Sequence, residues 1–168
     1  MLHGYDYTSF ATRLEAHTVG VAFDATAMRS PEAKITLDLA VNLLARLYPR
    51  IALRSLDEDA DVLVNTLTEY ARTINPAIDV ESELDRSTVC MIVGETRVTV
   101  VERVLYIGSS GWLAKFSPQE PVGSGTTANP FGAGAAACIG AANVFRMLFH
   151  DQLVNASVDA AFTLSLLD

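Results

Sequence analysis

Three small residues late in the chain have the spacing of a phosphate-binding turn. Gly132, Gly134 and Ala137 form a G-x-G-x-x-A pattern within "NPFGAGAAACIGAANVFR", residues 129–146. In a dinucleotide-binding domain such glycines let the backbone approach a pyrophosphate at a helix N-terminus. That arrangement needs the glycines at the turn from the first strand into its helix, whereas here they follow a late loop. The favoured interpretation is a small-residue helix surface that packs closely against a sheet or a second helix.

Asp57 is the candidate ribose-binding residue of the same nucleotide hypothesis. It ends the second predicted strand, where nucleotide-binding α/β domains hold ribose hydroxyls with an acid. With phosphate at Gly132 and Gly134, this hypothesis implies ATP and Mg as cofactors. The favoured alternative is that a cluster of acids complements the positive N-terminus of the following helix. The cluster consists of Asp57, Glu58, Asp59 and Asp61.

The two cysteines, Cys90 and Cys138, lie inside apolar runs and are predicted to be buried. Cys138 is a candidate nucleophile on a third hypothesis, but its neighbours in the sequence include no base. The three histidines are scattered, with no pair at the spacing of metal ligands on a helix. The sequence therefore predicts no metal site, and it offers no complete set of catalytic residues.

Composition excludes several classes of partner. The chain has 168 residues and a formal charge of −8, which repels a phosphate backbone, and its basic residues are dispersed. The longest apolar run, residues 131–142, is shorter than a membrane span. The start, "MLHGYDYTSF", lacks the features of a secretory signal. We therefore expect a single cytoplasmic domain over residues 1–168 that binds neither nucleic acid nor membrane.

The order of predicted elements indicates an α/β fold. A buried strand over Val19–Phe23 precedes a helix that begins near Pro31, and "IALRSL" and a second helix follow. Next, "STVCMIVG" and "RVTVVERVLYIG" are predicted to form an antiparallel hairpin joined by "GET", with "GWLAKFS" as a further strand. Asn129 and Pro130 begin the last predicted helix. The expected fold is a Rossmann-like three-layer sandwich with a mixed sheet, parallel in its first half and with an antiparallel hairpin in its second.

The segments "YIGSSGWLAKFS" and "NPFGAGAAACIGAANVFRMLF", with the Gly/Thr-rich loop between them, resemble the bacterial ThiF/MoeB-like family, relatives of ubiquitin-activating enzymes. The resemblance covers residues 89–149 and is closest to the N-terminal half of two-part members. It implies an adenylation-like half that has lost its nucleotide loop, because "VAFDATAMRS" stands where active members carry a glycine-rich loop. The sequence ends abruptly in apolar residues, and the resemblance implies that it is the N-terminal part of a longer chain.

What the resemblance implies is a non-catalytic scaffold and dimerisation domain without a cofactor of its own. Its expected partners are an active adenylation domain and a ubiquitin-like or sulfur-carrier-type protein. An inactive half of this kind can lend an arginine to its partner, and Arg13 and Arg29 are the candidates. The alternative is an active adenylyltransferase-type domain that uses ATP and Mg at Asp57, Gly132 and Gly134.

Overall fold

The fold is built around one short, fully buried strand, β1 (Val19–Phe23). The computed structural model describes residues 6–57, 61–99 and 101–167. The helices are α1 (Tyr7–Glu15), α2 (Ala25–Arg29), α3 (Pro31–Leu47), α4 (Asp61–Ile74) and α5 (Pro130–Leu148). The other strands are β2 (Arg50–Ser55), β3 (Asp79–Glu81), β4 (Val89–Val93), β5 (Val104–Ser110), β6 (Leu113–Ser117) and β7 (Phe162–Ser165).

The seven strands form one mixed sheet in the order β3-β2-β1-β4-β5-β6-β7. The first five strands in this order are parallel, and Val21 of β1 is paired with Leu53 on one side and Met91 on the other. β6 and β7 are antiparallel to their neighbours. The predicted combination of an α/β fold with a mixed sheet is confirmed.

The described helices pack on one face of the sheet. Val19, Val21 and Phe23 of β1 contact the core that α3, α4 and α5 cover. The opposite face of the sheet has a smaller core. Strand residues of that face pack there against residues of the connecting segments, such as Leu84, Val98 and Val101. The described residues therefore form two layers rather than the predicted three, because the links before and after β4 cross the second face without forming helices.

The predicted hairpin between β4 and β5 is wrong. These strands are parallel, with Met91 opposite Leu105, so the described residues between them, 94–99 and 101–103, belong to a crossover connection. Val98 and Val101 are buried in that crossing, so this valine-rich segment is a connection that packs on the sheet rather than a strand. The antiparallel hairpin lies one strand later, between β5 and β6, where Gly111 has φ +61°.

The two long helices begin where the sequence predicts. The Ser30 side chain caps α3 by accepting from the Ala33 N–H, and Pro31 occupies its first turn. The Asn129 side chain caps α5 and Pro130 follows it. Of the described helices, α5 is long and apolar enough to cross a membrane by length and composition alone, but here it packs against α3, β5 and β6.

Candidate functional site

The carboxyl ends of β1 and β4 form the position where a parallel α/β sheet binds its ligands. In such a sheet the ligand lies in a crevice between two neighbouring strands, at the point where the strand order reverses. In this sheet β2 and β3 lie to one side of β1, while β4 and β5 lie to the other, so the reversal falls between β1 and β4. This edge of the sheet is therefore the candidate site.

The crevice between β1 and β4 is filled by the side chain of Asp24, the first residue after β1. Its Oδ2 atom accepts hydrogen bonds from the backbone N–H of Glu95 at 2.7 Å and of Thr96 at 2.8 Å, and from the Thr96 hydroxyl at 2.9 Å. Its Oδ1 atom accepts from the Ala27 N–H at 3.0 Å and thereby caps α2. Gly94, at φ +135°, has no room for a Cβ because the Asp24 carboxylate lies there.

Asp24 is held as an anion although it is only 2% exposed. Burial raises the pKa of this carboxyl, but hydrogen bonds from the Thr26 hydroxyl, the Ala27 and Glu95 N–H groups and the Thr96 hydroxyl outweigh burial and lower it. A carboxylate satisfied in this way joins the end of β1 to the segment after β4. It thus stabilises the crevice in a closed form.

A second carboxylate lies at the start of α2. The exposed Asp57, which follows β2, accepts a hydrogen bond from the Ala25 N–H at 2.6 Å. Together Asp24 and Asp57 take two of the N–H groups with which a helix N-terminus binds a phosphate. A phosphate at this turn would have to displace one carboxylate and lie beside the other. The sequence predicted that Asp57 would complement the N-terminus of the following helix, α4, but its hydrogen bond is to α2. Glu58 and Asp59 of the same predicted cluster lie outside the described residues.

The structure does not bring Gly132 and Gly134 near Asp57. Gly132 is buried in the first turn of α5 against the β5–β6 hairpin, where a Cβ would lie 2.8 Å from the Leu113 carbonyl oxygen. Asp57 follows β2, which β1 and β4 separate from β5, so three strand spacings, about 14 Å, lie between them. Gly134 has more room, since a Cβ there would meet only Leu39 Cδ1 at 3.5 Å. Gly140 also lies close to the sheet, since a Cβ there would lie 2.9 Å from Ile107 Cγ2.

A second buried carboxylate, Glu32, fixes the same edge of the sheet farther along. It lies in the first turn of α3 and is fully buried. It accepts from the Ser109 hydroxyl at 2.6 Å, the Gly111 N–H at 3.0 Å, and the Thr127 hydroxyl and N–H at 2.6 and 3.1 Å. Burial raises its pKa, but these donors outweigh burial and lower it. Glu32 therefore holds the β5–β6 turn and the loop before α5 together rather than exchanging protons.

The two candidate arginines differ in their surroundings. Arg13 forms an ion pair with Asp151, donates to the Leu148 carbonyl at 3.3 Å and lies 5.4 Å from the centre of the Phe149 ring. It therefore attaches α1 to the end of α5. Arg29 is exposed at the end of α2, and among the described residues it has no ion-pair partner. Of the two, Arg29 is the more exposed.

The two cysteines also differ. Cys90 is buried as predicted, and burial raises the pKa of its thiol to about 12. The predicted burial of Cys138 is wrong, because Cys138 lies on the exposed side of α5. Since α5 is apolar around most of its circumference, its sequence does not indicate which side faces the sheet.

Fold and site together define an α/β domain whose ligand crevice is closed by its own carboxylates. The family model described as prokaryotic E2 family C matches residues 22–150, so the chain belongs to prokaryotic E2 family C. This makes it a domain related to bacterial ubiquitin-like conjugation systems. The finer resemblance to ThiF/MoeB-like proteins stays a prediction.

A relative in Sinorhizobium fredii (strain NBRC 101917 / NGR234), named "Uncharacterized protein y4jF", is 44% identical over 166 residues. The match covers 99% of this chain and 32% of the relative. The chain thus spans about a third of the length of this curated relative.

The roles of the two buried acids, Asp24 and Glu32, were not predicted from the sequence. The position of Asp24 could have predicted its role as a helix cap, since an acid directly after an apolar strand is well placed to cap a following helix. The role of Glu32 had no such signal in the sequence, because its partners Ser109 and Thr127 lie 77 and 95 residues away along the chain.

Proposed function

We propose that this chain is a non-catalytic, pseudo-adenylation domain that acts as a scaffold in a bacterial ubiquitin-like protein activating system. One observation carries the proposal: the carboxylates of Asp24 and Asp57 occupy the turn after β1, where an active domain would bind ATP phosphates. The phosphates would also meet unfavourable electrostatics there, since both groups are anionic. The domain contributes shape rather than chemistry on this proposal.

Strand order supports a Rossmann-like origin for the scaffold. The parallel strands run β3-β2-β1-β4-β5, the order of the first strands of doubly wound dinucleotide-binding sheets. Membership of a family described as prokaryotic E2 is consistent with a place in ubiquitin-like conjugation. The proposed partners are an active adenylation domain, to which Arg29 would be offered, and a ubiquitin-like protein. A cytoplasmic location belongs to the same proposal, because activation of such a protein draws on cellular ATP.

Calorimetry with ATP, with and without magnesium, tests the proposal. We expect no binding at concentrations up to the millimolar range. Binding tighter than about 100 μM, about 5.5 kcal/mol, would refute it. The rival nucleotide-binding hypothesis predicts measurable binding that Asp57→Ala removes, so this variant and the wild type are titrated side by side.

A thioester-forming role is the second candidate, because the family description is E2 and Cys138 is exposed. A residue with that role carries an activated thiolate. On the scaffold proposal, iodoacetamide alkylates native Cys138 at neutral pH no faster than it alkylates free glutathione. A rate at least about threefold higher would favour the thioester role, since lowering the pKa of a thiol by one unit below 8.5 gives about eightfold more thiolate at pH 7, part of which the lower nucleophilicity of that thiolate offsets.

A further inference from the structure

The inner side of α1 and of the turn that follows it carries two basic residues next to two apolar ones. Phe10, Arg13, Leu14 and His17 are half-buried, while the other residues of segment 6–17 are exposed. These four recur at intervals of three, one and three positions, so they lie on one side of the helix. No residue of α1 is fully buried. The helix is therefore held by a few contacts along one side, and such an element detaches at a low cost in free energy.

The inner side attaches α1 to the end of α5. The Phe10 ring lies 5.1 Å from the Phe149 ring and 6.5 Å from the Phe145 ring, measured between centroids. Arg13 pairs with Asp151, which follows α5. Phe149 is only 1% exposed while α1 lies against it. Detachment of α1 therefore uncovers an aromatic surface at the end of α5.

His17 lies next to two arginines at the amino ends of β1, β4 and β5. Its Nδ1 atom is 3.3 Å from the hydroxyl of Thr88, the residue before β4. Arg103 is the residue before β5, the next strand of the sheet, and its Nη1 atom donates to the Met147 carbonyl oxygen at 3.4 Å. Arg13 lies one helical turn before His17. The two arginines thus reach the end of α5 from two sides, with His17 near both.

The charges around His17 oppose protonation of its ring. Burial lowers the pKa of His17 below 6.5, and the positive charges of Arg13 and Arg103 lower it further. The Thr88 hydroxyl favours neither form, because it can donate to a neutral ring and accept from a protonated one. Asp151 is paired with Arg13. The other titratable residues on these segments are exposed: Glu15, Asp85, Arg86, Glu102 and His150. The His17 ring is therefore neutral at pH 7 while α1 is attached.

We propose that His17 is a pH-sensitive switch for α1: the helix stays on the end of α5 while the ring is neutral, and protonation of the ring releases it. This inference does not depend on the proposed function. When α1 detaches, His17 gains water and moves away from Arg103, so the detached form binds a proton more tightly. Attachment is therefore strongest above the ordinary histidine pKa of 6.5. It weakens as the pH falls below that value, and it levels off below the pKa of the attached form.

Other groups do not mask this effect between pH 7 and pH 5. The carboxylates that join segments of the fold, Asp24, Glu32 and Asp151, have lowered pKa values, so they stay ionised over this range. Among the described residues the other histidine is His150, which is exposed. A change in α1 over this range is therefore assigned by comparing these two histidines.

NMR spectroscopy of the 168-residue chain tests the proposal. We expect the His17 ring to titrate below pH 6.5. The protection factors of the α1 amides should fall at least about threefold between pH 7 and pH 5, since half a unit of pKa difference corresponds to about that ratio. The β1 amides should keep their protection, which shows that the domain stays folded. A ring that titrates at or above pH 6.5, or α1 protection that does not change, would overturn the proposal.

Substitutions assign the effect to His17. His17→Gln keeps a side chain that can bond to the Thr88 hydroxyl but does not titrate, so α1 protection should become equal at pH 7 and pH 5. His150→Gln is the matched control and should keep the fall seen in the wild type. Arg103→Gln should raise the pKa of His17 and reduce the fall, a result that a purely structural role of Arg103 does not produce. A fall that persists in His17→Gln, or a His17 pKa that Arg103→Gln leaves unchanged, is evidence against this switch.

Discussion

Replacing Asp24 by Asn tests whether the carboxylate closes the crevice between β1 and β4. An amide has one oxygen, so it cannot accept both from the Ala27 N–H and from the Glu95 and Thr96 N–H groups, which bond to different carboxylate oxygens. Either α2 loses its cap, at about 1 kcal/mol, or two backbone donors lose an acceptor, at about 1–3 kcal/mol each. With the loss of charge assistance included, we expect Asp24→Asn to lower the free energy of unfolding by about 2–4 kcal/mol at pH 7.

The pH dependence of this difference supplies the second half of the test. The pKa of Asp24 in the folded protein is lowered from 3.8, so its contribution to stability is present above that value and is lost as the pH falls through the folded pKa. Asn does not titrate, so the difference between wild type and variant should narrow below pH 4.

Urea unfolding at pH 7 and pH 3 measures both effects. Asp85→Asn, a change of the same type at an exposed aspartate, is the matched control and should shift stability by less than about 0.5 kcal/mol. Asp24→Asn stability within about 0.5 kcal/mol of the wild type at pH 7 would refute the reasoning, since the hydrogen bonds would then contribute little. A difference that is equal at both pH values would show that the charge does not matter.

Three further predictions concern packing and burial. Glu32→Gln should cost about 1–3 kcal/mol of stability and increase amide exchange at Gly111, measured by thermal melting and hydrogen exchange, because one of two accepting oxygens becomes a donor. Gly140→Val should destabilise by about 1–3 kcal/mol through overpacking against Ile107, whereas Gly134→Ala should raise the melting temperature, because there is room for its Cβ and alanine favours helix. In native protein at pH 8, iodoacetamide should modify Cys138 alone, as mass spectrometry of the peptides would show, because burial raises the pKa of Cys90 to about 12.

The elements that the sequence predicts well are those whose ends depend on neighbouring residues. Ser30 with Pro31, and Asn129 with Pro130, begin α3 and α5 because capping and the fixed φ of proline act within one turn. β1 was predicted with its observed bounds, since an apolar run bounded by polar residues is enough to define a buried strand.

The pairing of β4 with β5 was not predictable in the same way. A valine-rich run fits a strand of a hairpin and equally fits a segment that packs across a sheet, as Val98 and Val101 do. Asp24 fixes the start of this connection, since it accepts from the N–H groups of Glu95 and Thr96, which lie 71 and 72 positions away. A long-range contact of that kind leaves no periodic signal in the sequence.

The acids of the turn after β1 explain why that turn contains no glycine. A phosphate reaches helix N–H groups only if the backbone lies bare around it, which is the reason for glycine in nucleotide loops. A carboxylate of the same chain is carried to those N–H groups by its side chain and needs no bare backbone around it. The turn therefore tolerates the Cβ atoms of Ala25, Thr26 and Ala27. On the proposed function, the absence of glycine and the presence of acids are one change: the N-terminus of α2 has an anionic partner, and that partner is Asp24 and Asp57 instead of a ligand. We therefore propose that the domain keeps its parallel sheet without needing a nucleotide for stability.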